Sequence, residues 1–201
     1  MNLSSSTGRL LLACLTTVAL TLTACSEKEA PVAFTSTDIT GASFAREMKL
    51  TDHNGQEVSL ATYRGKVVAV FFGFTHCPDV CPTTLLTFKA VREALGPDLA
   101  KDLQVLFVTV DPERDTPEVL GKYVPAFDPS FVGLFGSLDQ TKEVAREFKV
   151  FYAKVPGTME GSYSMDHTAA TYVFDRDGKV RLMVRHAASV DDIASDIKQL
   201  M

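Results

Sequence analysis

No stretch of this chain is long enough to cross a membrane as a helix. The longest apolar run, Leu10 to Leu22, holds thirteen residues, where a spanning helix needs ~20. Such a run reads as a targeting segment instead. Basic charge is also scarce. Twenty lysines and arginines face 25 acids for a net charge of −5, and with no long basic run to offset the deficit a nucleic-acid partner is not expected. Cysteine numbers only four among 201 residues. A chain of that length with 46% apolar residues buries enough surface to fold as one ordinary domain without disulfide staples. The cysteines are therefore free for chemistry. Internal repeats and low-complexity segments are absent as well, so nothing points to a second domain.

What is present begins with an export signal. Residues 1–24 combine a polar start whose only charged side chain is Arg9, the apolar stretch LLLACLTTVALTL, and small residues at Thr23 and Ala24. Leu22-Thr23-Ala24-Cys25 resembles the bacterial lipoprotein box, in which the cysteine is lipidated and becomes the mature N-terminus; a plain signal peptide cut nearby is the alternative. Either way the protein is expected outside the cytoplasm, and with the lipid in place it is a membrane-anchored lipoprotein facing the periplasm or the cell exterior. Cys14 would leave with the signal and Cys25 would carry lipid. Only Cys77 and Cys81 then remain for the folded part. Residues 25–43 are polar and weakly patterned, a lipidated tether, and the domain is expected to span 44–201.

Within the domain, Asp52-His53-Asn54-Gly55 is a hairpin turn between the short strands MKL and EVSL. Lys66 to Phe74 is almost wholly apolar and rich in β-branched and aromatic residues, as a strand buried on both faces requires. From Pro82 to Leu95 the apolar residues Leu85, Phe88, Val91 and Leu95 recur at helical spacing. A second buried strand runs from Leu103 to Val110, a helix from about Pro117 to Ala126, a shorter strand and helix over 131–135 and 141–148, and another strand over 150–155. Residues 156–167, PGTMEGSYSMDH, read as a long polar loop. A hairpin over 171–184, turning at Asp175-Arg176-Asp177-Gly178, and a helix from Val190 to Leu200 close the chain. Strands alternating with helices, finished by a hairpin and a helix, predict an α/β fold of thioredoxin-like topology: a central mixed sheet with helices on both faces.

Cys77-Pro78-Asp79-Val80-Cys81 sits at the predicted junction of strand and helix. The spacing of four puts both sulfurs on one face of a first helical turn, where they can share a metal. The helix N-terminus is expected to stabilise both thiolates. A structural disulfide is the plain alternative, although so small a loop stabilises little. Two thiolates underfill most metal sites, so a third ligand is sought among His53, His76, His167 and His186. His53 in a hairpin turn and His186 before the last helix read as solvent-facing. His76, next to Cys77, reads as a supporting or surface residue. His167 lies at the end of the long loop that a thioredoxin-like sheet turns toward the cysteine-bearing helix, which singles it out. Sulfur and imidazole together select copper or zinc. Three ligands with an open position suit Cu(I), while a structural zinc site would normally show four protein ligands.

Two acids stand near these residues. Asp111 follows a predicted strand at the sheet edge where α/β folds place their sites; it either orients a ligand or meets a partner, or else braces the next helix with Arg114. Asp166 either orients His167 or bends its loop. A competing function is an extracytoplasmic thiol–disulfide oxidoreductase, one cysteine attacking a partner disulfide and the other resolving the intermediate. Such enzymes of this fold carry CxxC and a proline before the facing strand, whereas here the last proline is Pro156. The proline-and-threonine setting of a peroxidatic cysteine is also missing.

The segments GKVVAVFFGFTHCPDVCPTTL, VLFVTVDPERDTPEVLGKYVPAFDPSFVGL and YSMDHTAATYVFDRDGKVR, in this order, resemble the Sco/SenC family of copper chaperones for cytochrome c oxidase assembly over essentially the whole mature domain. The resemblance implies copper, as Cu(I) or Cu(II), held by Cys77, Cys81 and His167. It also implies passage of the metal or of reducing equivalents to the binuclear copper centre of oxidase subunit II, or to another extracytoplasmic copper protein. Many members are anchored by a transmembrane helix, so a lipid anchor is a departure.

Overall fold

A computed structural model describes residues 33–201; the signal segment and Cys25 lie outside the described residues. In chain order the elements are β1 (Thr37–Asp38), β2 (Lys49–Asp52), β3 (Glu57–Ser59), β4 (Val67–Gly73), α1 (Val80–Ala100), β5 (Leu103–Thr109), α2 (Pro117–Tyr123), β6 (Val132–Phe135), α3 (Leu138–Glu147), β7 (Tyr152–Pro156), β8 (Tyr163–His167), β9 (Ala170–Phe174), β10 (Val180–Arg185) and α4 (Val190–Lys198). A turn of 3₁₀ helix, Leu60–Tyr63, joins β3 to β4. Among the described residues no helix is long and apolar enough to cross a membrane.

The apolar segments of the sequence form the centre of an eight-stranded sheet ordered β1-β10-β9-β4-β5-β6-β2-β3. Every residue of β4 and of β5 is buried, and the two run parallel in register from Val67 opposite Leu103 to Gly73 opposite Thr109. β6 continues the parallel set, while β9 lies antiparallel on the other side of β4. Alternation along β4 then assigns the faces. Phe72 points to the side of Phe148, just beyond α3, with ring centroids 5.1 Å apart. Phe71 points the opposite way, toward Phe107 at 6.1 Å, which in turn meets Tyr123 of α2 at 5.9 Å. α4 packs along α1. Helices cover both faces, the thioredoxin-like arrangement expected from the order of elements.

Local chemistry places the ends of the helices. Pro82 falls in the first turn of α1, where a missing N–H costs nothing. Gly96, at φ 75° and ψ 167°, interrupts that helix ahead of Pro97, so the regular part stops where the apolar period does. Ser137 and Gln140 cap α3 reciprocally. Gly55 and Gly178, at φ 84° and 74°, occupy the left-handed positions of the two expected hairpin turns.

Two segments differ from expectation. The sheet begins ahead of Phe44: Thr37 pairs with Met183 and Asp38 with Leu182. The amides of Thr35 and Ser36 donate to the buried carboxylate of Asp196 at 2.9 and 2.8 Å. Residues 33–43 thus belong to the compact unit; a two-residue edge strand held by a side chain of the last helix leaves no hydrophobic pattern to read. The supposed long loop is also shorter, because Tyr163–His167 is a strand paired with β7, Tyr152 lying opposite His167. This two-stranded ribbon stands apart from the main sheet and of β8 only Met165 is buried, so its alternation is nearly silent in the sequence.

Candidate metal centre

β4 ends at Gly73, and the chain turns through Phe74, Thr75 and His76, the Cys77 amide donating to the Phe74 carbonyl at 3.2 Å. Cys77 is half-buried and Cys81, in the first turn of α1, is fully buried; both are free thiols. The Cys81 amide lies 3.5 Å from Cys77 Sγ, so the helix start faces the first sulfur. Gly73 makes room for the second. A Cβ at that position would stand 2.8 Å from Cys81 Sγ and 2.8 Å from the Phe107 ring.

His167 reaches this point from the far end of β8. Its Nε2 lies 3.6 Å from Cys81 Sγ, and its Nδ1 lies 3.1 Å from the Thr168 carbonyl. A carbonyl only accepts, so Nδ1 carries the proton and Nε2 keeps its lone pair toward the sulfurs. The rings of Phe71 and Phe74, each 5.9 Å from the imidazole at 72° and 87°, hold it edge-on. Burial pushes the His167 pKa below its ordinary value, opposed by the Thr168 carbonyl and the charge of Asp166. The neutral, ligating form is therefore the resting one. One ligand atom from each of Cys77, Cys81 and His167 lies within 4.8 Å of the others, a group that could hold a soft metal ion.

The expectation that the helix N-terminus makes both thiols acidic does not hold for Cys81. Burial, the largest influence, pushes its pKa far above the ordinary thiol value despite a hydrogen bond with the Phe74 backbone, and the neighbouring Cys77 and Asp115 push the same way. A thiolate without water around it costs more than the helix end returns. A metal that binds Cys81 must displace this proton.

The remaining candidates divide. Asp111 is buried and touches none of the three ligands by hydrogen bond. It pairs with Arg114 and accepts from the Tyr163 hydroxyl at 2.9 Å. Arg114 also donates to the Tyr163 carbonyl at 2.9 Å and lies 3.6 Å over its ring. An ion pair inside the β5–α2 loop therefore grips β8 four residues before His167. Lys154 of β7 adds an ion pair to Glu113 of the same loop. Asp166 is exposed and makes no hydrogen bond to the imidazole, whose Nδ1 is already taken by Thr168. His76 is exposed, 3.8 Å from Asp115. His53, read as solvent-facing, is half-buried and its Nδ1 accepts from the Gly133 amide at 3.1 Å; His186 is exposed, 3.4 Å from the Thr84 hydroxyl.

Asp115 is the residue that sequence reasoning missed. Only 1% exposed, it accepts from the Thr75 amide at 3.0 Å, the Thr75 hydroxyl at 2.6 Å and the Thr109 hydroxyl at 2.6 Å. These bonds tie the segment before Cys77 to the end of β5. The signal was present as a second aspartate in VDPERDTP, hidden by the more obvious pairing of Asp111 with Arg114.

Comparison with known proteins identifies the family. The family model described as SCO1/SenC matches residues 36–201. Bovine protein SCO2 homolog, mitochondrial, is 36% identical over 156 residues, 77% of this chain and 59% of the relative. The chain spans 59% to 65% of the length of the bovine and Rickettsia felis relatives. Bradyrhizobium japonicum ScoI, solved with copper bound, superposes with a TM-score of 0.70 at 40% identity, over 77% of this chain and 98% of that one. The apo Sco1 protein of Thermus thermophilus superposes with a TM-score of 0.75 at 42% identity, over 86% and 99%. A family match running from the edge strand to the last residue, through both cysteines and the distant histidine, establishes that this chain belongs to the SCO1/SenC family.

Proposed function

We propose that this protein is a copper chaperone that holds the metal between Cys77, Cys81 and His167 and delivers it to the binuclear copper centre of cytochrome c oxidase subunit II, or to another extracytoplasmic copper protein. The observation that carries the reading is the convergence of two sulfurs and an imidazole Nε2 within 4.8 Å. Copper is favoured by that soft donor set and by the copper-bound relative. Copper is cargo here. Three ligands leave a position through which a partner's ligand enters, and Cys77, the more exposed sulfur, is the natural point of exchange. The export signal and Cys25 support a lipid anchor on the outer face of the cytoplasmic membrane or beyond it.

A second reading rests on the asymmetry of the cysteines. Cys77 is accessible and Cys81 buried, the layout of an attacking and a resolving thiol. A Cys77 thiolate attacking a partner disulfide forms a mixed disulfide and releases one partner thiolate. Cys81 then gives up its proton, displaces the second partner sulfur and closes a Cys77–Cys81 disulfide. The partner gains two electrons and this protein loses them.

Metal content and valence of the chain from Ser26 onward, for wild type, Cys77→Ser and His167→Ala, test the proposal. One copper per wild-type chain under reducing conditions, lost in Cys77→Ser and weakened in His167→Ala, is the expected result. Full copper affinity in His167→Ala together with ready reduction of a partner disulfide by the wild type would favour the oxidoreductase.

A further inference from the structure

The chain enters the domain at the same end of the sheet as the metal centre. β1 pairs antiparallel with β10, Thr37 opposite Met183 and Asp38 opposite Leu182. β10 and β4 both lie antiparallel to β9, so they point the same way, and the residues ahead of Thr37 stand level with Val184 and Arg185, where β10 ends. β4 runs out at that end too, into the turn that carries Cys77. The entry is held in place. The amides of Thr35 and Ser36 donate to the buried carboxylate of Asp196 at 2.9 and 2.8 Å, and the Ile39 amide donates to the Arg181 carbonyl at 2.8 Å.

This leaves a short tether. Between Cys25 and Ala33, the first residue of the compact unit, stand only residues 26–32, far fewer than the tether over 25–43 that the sequence suggests. Eight Cα-to-Cα steps reach about 29 Å at full extension. A domain of this size has a radius of gyration of about 15 Å and is about 40 Å across. With the opposite end of the sheet against the bilayer, the tether would have to climb the height of the domain, which exceeds its reach.

Exposed apolar side chains fall at the same end. Leu138, 57% exposed, opens α3 directly after β6, a strand parallel to β5 and β4. Phe151, 65% exposed, is bonded through its amide and its carbonyl to Thr168, the neighbour of His167. Among the described residues, no large exposed apolar side chain lies in the loops of the opposite end, 53–56, 64–66, 101–102, 128–131 and 175–179.

We propose that the metal end of the domain is turned toward the membrane that holds the Cys25 lipid, so that Cys77 and His167 face the bilayer. The inference rests on the lipid-anchor part of the proposed function. The tether enters at the edge of the sheet, three strand spacings or about 14 Å from β4, which keeps it clear of Cys77. The copper acceptor then receives the metal close to the bilayer surface.

The chain contains no tryptophan, so a single introduced one reports its own position. Lipidated protein carrying Phe151→Trp, at the metal end, is compared with Asp177→Trp, in the exposed turn at the other end, on phosphatidylcholine vesicles holding a dansyl-labelled lipid. Energy transfer to the dansyl groups is expected to be severalfold stronger from position 151. Equal transfer, or stronger transfer from position 177, overturns the inference. A flexible glycine–serine stretch inserted after Ser26, twice the length of the tether, should level the two signals. A difference that survives the insertion overturns the tether as its cause. A wild type that does not float with the vesicles, or a Cys25→Ala variant that does, overturns the lipid-anchor reading itself, a distinct result obtained before any fluorescence is read.

Discussion

The Nε2 of His167 lies 3.6 Å from the Sγ of Cys81, two residues 86 positions apart in the chain. The contact joins the start of a helix to the end of a small ribbon outside the main sheet, so it depends on the fold rather than on either segment. His167→Ala should weaken copper binding while leaving the Cys77–Cys81 disulfide able to form, because the two sulfurs are brought together by the local turn alone. Copper titration beside thiol counting after mild oxidation checks both halves. Loss of the disulfide in the variant would show that the imidazole also sets the sulfur geometry.

Gly73 leaves the space in which Cys81 Sγ sits. In Gly73→Ala the new methyl would meet both that sulfur and the Phe107 ring at 2.8 Å, each of them fully buried. Overpacking of this kind costs about 1–3 kcal/mol. Denaturant midpoints should fall accordingly. Copper affinity should fall as well, because the sulfur is the atom that must move.

Much of this site was legible before the fold was known, and the reasons differ by residue. β4 and β5 announce themselves because a strand buried on both faces is almost wholly apolar, Gln104 and Thr109 of β5 being the polar exceptions, and Cys77 and Cys81 are distinguished by subtraction from a small count. His167 was reachable through topology. What stayed hidden was carried by the backbone or by long-range pairing. The partner of His167 Nδ1 is the Thr168 carbonyl, and no side chain marks a carbonyl, so Asp166 was the natural but unengaged candidate. β8 pairs only with β7 and buries a single methionine, leaving no period to detect. The latch between Asp196 and residues 35–36 spans nearly the whole domain.

Asp111, Arg114 and Tyr163 hold the ribbon that carries His167. Arg114→Ala would leave the buried Asp111 carboxylate without its cation, a loss of about 3–5 kcal/mol where a buried pair is broken from one side. The Arg114 side chain is 24% exposed, which places the expected loss at the lower end. Tyr163→Phe removes one hydrogen bond to a charged acceptor, about 1.5–3 kcal/mol. Both variants should also release copper to a competing chelator faster than wild type. Urea unfolding and chelator-exchange kinetics separate the two effects, and stability loss with unchanged release would confine the clamp to a structural role.

Half-buried His167 and buried Cys81 make the stability of the metal-free protein depend on pH. The folded pKa of His167 lies below its ordinary 6.5. Its contribution to stability is therefore complete above that value and is lost as pH falls through the folded pKa, where the unfolded chain binds the extra proton. Cys81 behaves oppositely. Its folded pKa lies far above the ordinary 9.0, so its contribution is complete below that value. It is lost as pH climbs from there toward the folded pKa, because the unfolded chain releases the proton first. Unfolding free energies measured across pH should show a plateau between these limits, with an acid shoulder removed by His167→Gln and an alkaline one removed by Cys81→Ser. Copper affinity should rise with pH over the same plateau, since the metal must displace the Cys81 proton. A copper affinity that is flat with pH there would mean that Cys81 is already a thiolate in the folded protein, against the burial that surrounds it.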